Sequence, residues 1–192
     1  PDEQLQNLPV QTGVNLVTEK AALQALSRTL SDQRLLSLGI ETDGLHFMQA
    51  TITGISLSWQ PGSAVYIPLG HDLLGAEQQL SLSETLAILK PHLENQGVFK
   101  VGHDLKLLSH LLRRQGVALR GRRYDIMLES YVLDSVAHKH TLERICDQFL
   151  GLTLEPREAL LGKGRNKLAF AQLDVAQAAA WSGKCADYCL RL

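Results

Sequence analysis

Three strand-like runs joined by short connections set the narrowest limits on the fold of this chain. The runs cover residues 35–40, 51–59 and 64–68, and the last two are separated only by the turn Gln60-Pro61-Gly62-Ser63. Residues of the second run alternate between two faces with the period of two that is typical of a strand. Successive strands with short connections pair antiparallel, because a parallel pair needs a long crossover. The sequence therefore predicts a three-stranded antiparallel meander.

The rest of the chain is predicted to be mainly helical. Helices are expected at residues 18–31, 81–94, 105–115, 125–133, 141–149 and 174–192, with further short strands at 14–17 and 98–101. Thr18 is expected to cap the first helix, and Ser81 with Glu84 forms a capping box for the second. Gly116 is expected to end the third helix. Strands and helices in this order predict an α/β fold with a mixed sheet.

The length of the chain fits one domain. Its 192 residues can bury a full core without disulfides or metals. Residues 1–13 are polar and rich in turn formers, so we expect a linker or arm there and a folded domain over residues 14–192. The formal net charge of −1 gives no global basic field directed at nucleic acid, although a local groove can still be basic.

The three cysteines do not indicate a disulfide framework. Cys146, Cys185 and Cys189 form an odd, sparse set, and no second Cys/His pair at zinc spacing accompanies the last two. We therefore expect these thiols to pack in the core. The apolar runs are too short to span a membrane and no signal peptide is present, so a cytoplasmic location without membrane contact is expected.

The first strand of the meander ends in an acidic turn. The segment Leu36-Ser-Leu-Gly-Ile-Glu-Thr-Asp43 reads as a buried strand followed by carboxylates. Two-metal nucleases commonly place an aspartate and a glutamate, two residues apart, at such a position. This chain has Gly39-Ile40-Glu41, so one carboxylate of that pair is missing.

Seven stretches of the chain occur in one order and at near-constant spacing, and together they resemble a known family. They are Ile40-Glu-Thr-Asp-Gly-Leu45, Gly54-Ile-Ser-Leu-Ser58, Val65-Tyr-Ile-Pro-Leu-Gly-His-Asp72, Leu89-Lys-Pro-His-Leu93, Lys100-Val-Gly-His-Asp-Leu-Lys106, Tyr124-Asp-Ile-Met-Leu-Glu-Ser-Tyr-Val-Leu133 and Gly162-Lys-Gly-Arg-Asn166. From about Val14 to Leu192 the chain resembles the 3′–5′ proofreading exonuclease domain of bacterial family A DNA polymerases, the DNA polymerase I type.

This resemblance implies a ribonuclease-H-like (DnaQ-like exonuclease) fold, in which three antiparallel strands and further parallel strands form a mixed sheet flanked by helices. The order of the predicted elements agrees with that fold. The resemblance also implies a polymerase domain after Leu192, and often a 5′ nuclease before Pro1. Residues 188–192 contain no helix stop signal, so we expect a domain cut from a longer chain.

The catalytic positions of the family are almost all changed. In active members, four carboxylates hold two divalent metals and a tyrosine orients the attacking water. By resemblance, the first aspartate falls on Gly39, and the glutamate is kept as Glu41. The aspartate of the helix after residues 100–102 falls on Leu108. The tyrosine falls on Trp181 and the last aspartate on Cys185.

These changes remove the chemistry that two metals need. Two divalent cations about 4 Å apart repel by roughly 17 kcal/mol at an effective dielectric near 20, and carboxylates offset that repulsion. Glu41 alone cannot do so. The indole of Trp181 offers only an N–H donor, and Leu108 offers no donor or acceptor. We therefore expect a partly filled, dry site with no metal and no cofactor, and Mg²⁺ or Mn²⁺ only if the site is active.

A rebuilt carboxylate set is the alternative. Asp104 precedes Leu108 by four residues on the same helix face and could compensate for a lost ligand. The preferred interpretation is that Asp104 caps the helix over residues 105–115. With Glu41, and with Asp125 or Asp43 as further acids, Asp104 leaves open an active metal-dependent exonuclease.

Several basic residues are candidates for contact with nucleic acid. His103, Lys106 and Arg113 could line a groove for single-stranded DNA, and Lys163 and Arg165 lie in a flexible basic loop. Phosphate contacts need positive charge but no metal, so a metal-independent single-stranded DNA-binding module is a second alternative. Solvated surfaces are the competing interpretation. Taken together, the sequence predicts a vestigial, inactive exonuclease domain that supports a polymerase domain and contacts DNA weakly.

Overall fold

The computed structural model describes residues 11–43, 49–72, 79–136, 139–164 and 167–192. Its strands are β1 (Gly13–Leu16), β2 (Leu35–Asp43), β3 (Thr51–Gln60), β4 (Ser63–Pro68), β5 (Phe99–Gly102) and β6 (Arg123–Asp125). Its helices are α1 (Lys20–Leu30), α2 (Leu82–Leu93), α3 (Leu105–Arg114), α4 (Ile126–Leu133), α5 (Leu142–Leu150), α6 (Arg157–Leu161) and α7 (Val175–Arg191), with a 3₁₀ turn at Phe170–Gln172.

The strands form one mixed sheet in the order β1-β4-β3-β2-β5-β6. Strands β2, β3 and β4 pair antiparallel, which confirms the predicted meander. Strand β1 runs parallel to β4, β5 parallel to β2, and β6 parallel to β5. Strand β6, helix α6 and the 3₁₀ turn were not predicted, because each is too short to carry a clear periodic pattern.

Helices cover both faces of the sheet. On one face, leucines of α1, α2 and α3 share a cluster with the apolar side chains of β2, β3 and β4. Helix α7 packs across β3, β4 and β2, and it joins α5 and β5 in a second cluster. Because both faces are covered, β3 is buried from Ile52 to Ser58. None of the described helices is both long and apolar enough to cross a bilayer.

Local capping signals were predicted with mixed success. Ser81 caps α2, and its hydroxyl accepts a hydrogen bond from the backbone N–H of Glu84 at 3.2 Å, as predicted. The predicted cap at Thr18 is wrong, because α1 begins at Lys20 with Glu19 at the N-cap and no side-chain cap bond. Gly116 follows the end of α3 with a φ of +75°, the left-handed conformation that glycine adopts without strain.

Asp187 fixes the position of α7 against the sheet edge. Its carboxylate is fully buried and accepts hydrogen bonds from the Thr12 hydroxyl, the Gly62 N–H at 2.8 Å and the Arg191 guanidinium. A buried charge needs such partners to be tolerated. These contacts join α7 to the start of β1 and to the β3–β4 turn. They hold α7 in its position over the sheet.

Candidate functional site

An open cleft with a volume of about 470 Å³ lies where β2 meets α3, α5 and α7. It brings together the five residues that the resemblance places at catalytic positions of the family. Gly39 and Glu41 come from β2, Leu108 from α3, and Trp181 and Cys185 from α7. Residues up to 146 positions apart in the sequence therefore share one site.

The lining of this cleft is largely apolar. Its apolar side chains include Leu38, Ile40, Leu107, Leu108, Leu111, Leu142 and Leu154. The sequence predicted a partly filled pocket. Leu108 and Trp181 border the cleft, and the indole of Trp181 is held to one side by a 2.7 Å hydrogen bond from its Nε1 to the Glu155 carbonyl. An open volume of about 470 Å³ remains beside them.

Both carboxylate oxygens of Glu41 are bound by protein groups. Glu41 is only 5% exposed. Its Oε2 forms an ion pair with Nη1 of Arg157, and its Oε1 accepts a hydrogen bond from the Ser182 hydroxyl at 2.9 Å. The Ser182 Oγ also lies 3.0 Å from Ser56 Oγ on the neighbouring strand. The one family carboxylate that this chain retains is thus part of a closed polar network.

A register shift between β2 and β3 lies beside Glu41. Glu41 pairs with Gly54 and Thr42 pairs with Ile52, so the extra residue of this β-bulge is Thr53 on β3. The carbonyl of Thr42 accepts a 3.3 Å hydrogen bond from Nη2 of Arg157, so the β2 backbone next to Glu41 contributes to the same network.

Arg157 is held in the cleft by aromatic rings. Its guanidinium carbon lies 4.6 Å from the ring centroid of Phe170 and 5.7 Å from that of Trp181, distances typical of cation–π contacts. Sequence reasoning missed Arg157 and Ser182. Arg157 is 116 residues from Glu41, and neither residue lies in a motif that indicates a role.

Asp104 is the N-cap of α3, as the preferred interpretation predicted. Its Oδ1 accepts a hydrogen bond from the Leu107 N–H at 3.1 Å. Its φ of +59° places it in the left-handed region, which aspartate tolerates better than most residues. Asp104 also borders the cleft, together with Glu143 of α5, which sequence reasoning did not single out.

The other acids considered as replacement ligands are engaged by backbone groups. Asp125 accepts hydrogen bonds from the N–H groups of Asp104 at 3.1 Å and Leu105 at 2.7 Å, and it also caps α4. Asp43 accepts a bond from the Thr51 N–H at 2.8 Å. Neither carboxylate contributes to the cleft lining. Their geometry is that of turn and cap residues.

The donors in the cleft do not fit a pair of divalent cations. Across the described parts of the chain, no three His, Cys, Asp or Glu side chains are grouped so that they could hold a metal ion. Of the cleft acids, Glu41 is paired with Arg157 and Asp104 caps a helix. Two close metal ions need several shared carboxylates, and this set does not provide them.

The thiol at the last catalytic position is not a substitute ligand. Burial, with a further contribution from the charge of Glu41, raises the pKa of Cys185 well above its ordinary value. A neutral thiol is neither a good metal ligand nor a nucleophile. Cys146 and Cys189 are buried and free, and burial raises the pKa of Cys146 to about 12. The core packing predicted for Cys185 and Cys189 is confirmed for Cys189, whereas Cys185 is half-buried and borders the cleft.

Among the residues that the structure describes, no tyrosine lines the cleft. Tyr66 lies near the cleft but is fully buried, and its hydroxyl is 2.8 Å from Nε2 of His71. The His71 Nδ1 lies 3.2 Å from the Leu173 carbonyl, so this nitrogen donates and Nε2 accepts from the phenol. Burial, with the nearby charge of Glu41, raises the pKa of Tyr66. Its role is to pack and to hydrogen-bond inside the core.

Of the predicted DNA-contacting residues that the structure describes, His103 alone borders the cleft. His103 borders the cleft, where its Nε2 lies 2.7 Å from the His140 carbonyl. Lys106 and Arg113 are exposed on α3, and Lys163 is exposed near the end of α6, all outside the cleft lining. Arg165 lies outside the described residues.

Sequence comparisons relate the chain to bacterial polymerases. Residues 14–192 match the family described as 3′–5′ exonuclease. DNA polymerase I of Pseudomonas aeruginosa is 36% identical over 188 residues, which are 96% of this chain and 21% of that protein. The chain spans about a fifth of the length of the curated relatives it matches.

Structural comparisons support the predicted fold class. The POL domain of Pol1 from M. smegmatis, in complex with DNA primer-template and dNTP, matches with a TM-score of 0.59 and 22% identity over 93% of this chain and 27% of that chain. RNase D of Escherichia coli, an exoribonuclease, matches with a TM-score of 0.67 and 14% identity over 94% of this chain and 43% of that chain. The ribonuclease-H-like, DnaQ-like fold predicted from the sequence is thereby confirmed.

Proposed function

Because the chain belongs to the 3′–5′ exonuclease family of DNA polymerase I, we propose that it is a vestigial member that no longer removes nucleotides and that supports a DNA-directed DNA polymerase domain. One observation carries this proposal. Glu41, the only carboxylate left at a catalytic position of the family, is buried in an ion pair with Arg157.

The other catalytic positions add no replacement chemistry. Leu108 has no polar atom, Trp181 uses its single donor on the Glu155 carbonyl, and the thiol of Cys185 stays protonated. Stabilising the attacking and leaving oxygens at a phosphate needs charge that these side chains do not supply. An unreactive cleft follows from this set of residues.

An exposed apolar surface on α4 and α5 supports a role next to another domain. Large apolar side chains are exposed on and just after α4 and on α5, namely Leu128, Tyr131, Val132, Leu133, Val136 and Phe149. We call this the α4 apolar surface. Helix α4 buries only Ile126, and Val132 and Val136 are 80% and 83% exposed. Clusters of this kind are typical of protein contacts.

The polymerase domain is the partner that we propose for this surface. The matched relatives are DNA polymerases about five times as long as this chain. A covered surface should exchange its amide hydrogens more slowly. We expect slower exchange in α4 when this domain is measured within a complete polymerase chain than when the 192 residues are measured alone. Equal exchange rates in the two forms would contradict this contact.

The nuclease test is a time course with a 5′-labelled single strand in Mg²⁺ and then Mn²⁺, resolved by length. We expect no shortening over hours at excess protein, with an active 3′–5′ exonuclease as positive control. A metal-dependent ladder that disappears in Glu41→Ala, Asp104→Ala or Glu143→Ala would mean that the cleft holds a rebuilt carboxylate set, and the proposal would then fail.

Weak DNA contact is the finer part of the proposal. Lys106 and Arg113 are seven residues apart on α3 and both are exposed, so they lie on the same side of the helix. Their charge can attract phosphates without a metal. Binding that weakens steeply with salt and is indifferent to EDTA would favour the single-stranded DNA-binding alternative over a purely structural role.

A further inference from the structure

The pairing of Glu41 with Arg157 compensates for the hydration that a carboxylate loses when it is buried. The side chain of Glu41 is 7% exposed, whereas that of Arg157 is 37% exposed. An ionised carboxylate at such depth is costly unless a charge and hydrogen-bond donors compensate for its lost hydration. Here both come from the protein, through the Arg157 guanidinium and the Ser182 hydroxyl.

The guanidinium is fixed by hydrogen bonds and by contacts with two aromatic rings. Its N–H groups donate to Glu41 and to the carbonyl of Thr42, and its central carbon lies 4.6 Å from the ring centroid of Phe170 and 5.7 Å from that of Trp181. Arginine can make both kinds of contact at once, because its planar group carries donors in the plane and a delocalised charge above it. The cation is therefore held in place by several independent contacts.

Trp181 has a structural role in this arrangement. Its Nε1 donates to the carbonyl of Glu155, two residues before Arg157, at 2.7 Å. Its ring is also 6.1 Å from the ring of Phe170, which lies under the guanidinium. The residue at the family's tyrosine position thus anchors the start of α6, the helix from which Arg157 reaches Glu41.

We propose that Arg157 is a built-in counterion that replaces the metal at Glu41, that Trp181 positions Arg157, and that Ser182 positions the Glu41 carboxylate. This inference rests on the proposed lack of nuclease activity, because an arginine and a metal ion would compete for the same carboxylate. It predicts that the stability of the wild-type chain does not respond to divalent metals, and that removal of Arg157 makes Glu41 responsive to them.

The test is a double-mutant cycle on the full 192-residue chain, read as Tm in EDTA and in Mn²⁺. Arg157→Met keeps an unbranched apolar stem but removes the guanidinium and its charge, and Glu41→Gln keeps the shape of the carboxylate. In EDTA we expect each single variant to lose roughly 5–10 °C. We expect the double variant to lose clearly less than the sum, because it leaves no buried charge unpaired.

The metal response completes the test. The Tm of the wild type should be the same in EDTA and Mn²⁺. Mn²⁺ should restore part of the Tm of Arg157→Met, and Glu41→Gln added to that variant should abolish the recovery. Arg144→Met removes an exposed arginine of α5 and should change neither the Tm in EDTA nor the Tm in Mn²⁺.

Three results would each overturn the inference. The first is that the Tm losses of the two single variants add up in the double variant, and the second is that Mn²⁺ does not raise the Tm of Arg157→Met. The third is that Mn²⁺ raises the Tm of the wild type in a way that depends on Glu41. If Arg157→Met does not fold, Arg157→Lys keeps a charge without the fork of donors. We expect a smaller Tm loss for it and no Mn²⁺ response. The nuclease time course is run on the same wild-type sample. Shortening there would contradict the proposed function, whereas the cycle decides the role of Arg157 separately.

Discussion

Gly39 and Ser56 face each other across β2 and β3 so closely that a side chain at position 39 has no room. A Cβ built on Gly39 would lie 2.4 Å from Ser56 Oγ, far inside van der Waals contact, and 3.9 Å from Ser182 Oγ. These two hydroxyls are the ones that continue the network around Glu41. The neighbours of the missing aspartate have therefore occupied its space.

The first prediction concerns this contact. Gly39→Ala should destabilise the chain by about 1–3 kcal/mol, because the new methyl forces Ser56 out of its place. Adding Ser56→Ala should recover part of the loss, since the clashing atom is then absent. Urea denaturation measures the free energy of unfolding of the single and the double variant. Gly13→Ala is the matched strand control, because its Cβ meets nothing closer than 3.7 Å. A Gly39→Ala variant as stable as the wild type would refute the packing argument.

The second prediction concerns restoration of the family site. Gly39→Asp, Leu108→Asp and Cys185→Asp together should lower the free energy of unfolding by several kcal/mol without metal, because three carboxylates enter a largely apolar cleft. The triple variant should remain inactive while Arg157 binds Glu41. Adding Arg157→Met should give weak metal-dependent activity on a labelled strand, if the backbone retains the active geometry.

Two controls make that experiment decisive. Glu41→Gln in the quadruple variant should remove any activity, because the last family carboxylate is then gone. An unchanged melt of the triple variant in EDTA would show that the added charges are not buried, and would contradict the geometry of the cleft described above.

The third prediction concerns the pH dependence of stability. Lys100 is fully buried, and its Nζ donates to the carbonyls of Asn95 at 2.7 Å and Val98 at 3.0 Å. Burial lowers its pKa from 10.5 to about 8. Below about pH 8 the folded and unfolded states are both protonated, and the full cost of burying the charge applies.

The direction of this pH dependence follows from the number of protons that the folded and unfolded states bind. Between about pH 8 and 10.5 the unfolded chain still binds the proton that the folded chain has lost, so stability rises with pH in this window. Relative to Lys100→Met, the wild type should gain about 2 kcal/mol across it, after allowance for screening. Urea denaturation at several pH values measures this difference. Lys106→Met removes an exposed lysine and should show no such slope.

The fourth prediction concerns DNA affinity. Lys106→Ala with Arg113→Ala should weaken binding to a fluorescent single strand and make it less sensitive to salt, because two phosphate contacts are lost. Fluorescence anisotropy in EDTA at about 50 mM and about 200 mM salt measures both effects. Arg28→Ala with Arg34→Ala removes the same charge at exposed positions elsewhere and serves as control. Equal losses of DNA affinity in the two double variants would mean that α3 has no special role in binding DNA.

Local signals in the sequence predicted much of the fold. The meander, the capping box at Ser81, the cap at Asp104 and the glycine after α3 were predicted because each depends on a few neighbouring residues. Strand β6 and helix α6 were not predicted. They are three and five residues long, too short to show a periodic pattern of apolar residues. The error at Thr18 has the same origin, because helix ends shift easily by one or two residues.

By itself the sequence determined the family and the fold class, because these are properties of residues in a fixed order, and it predicted the positions at which catalytic residues are missing. Only the tertiary structure decided what those positions now do. The pairing of Glu41 with Arg157, the anchoring of α6 by Trp181 and the place of Ser56 beside Gly39 join distant parts of the chain. Such contacts arise from packing of separate elements, and no local pattern encodes them.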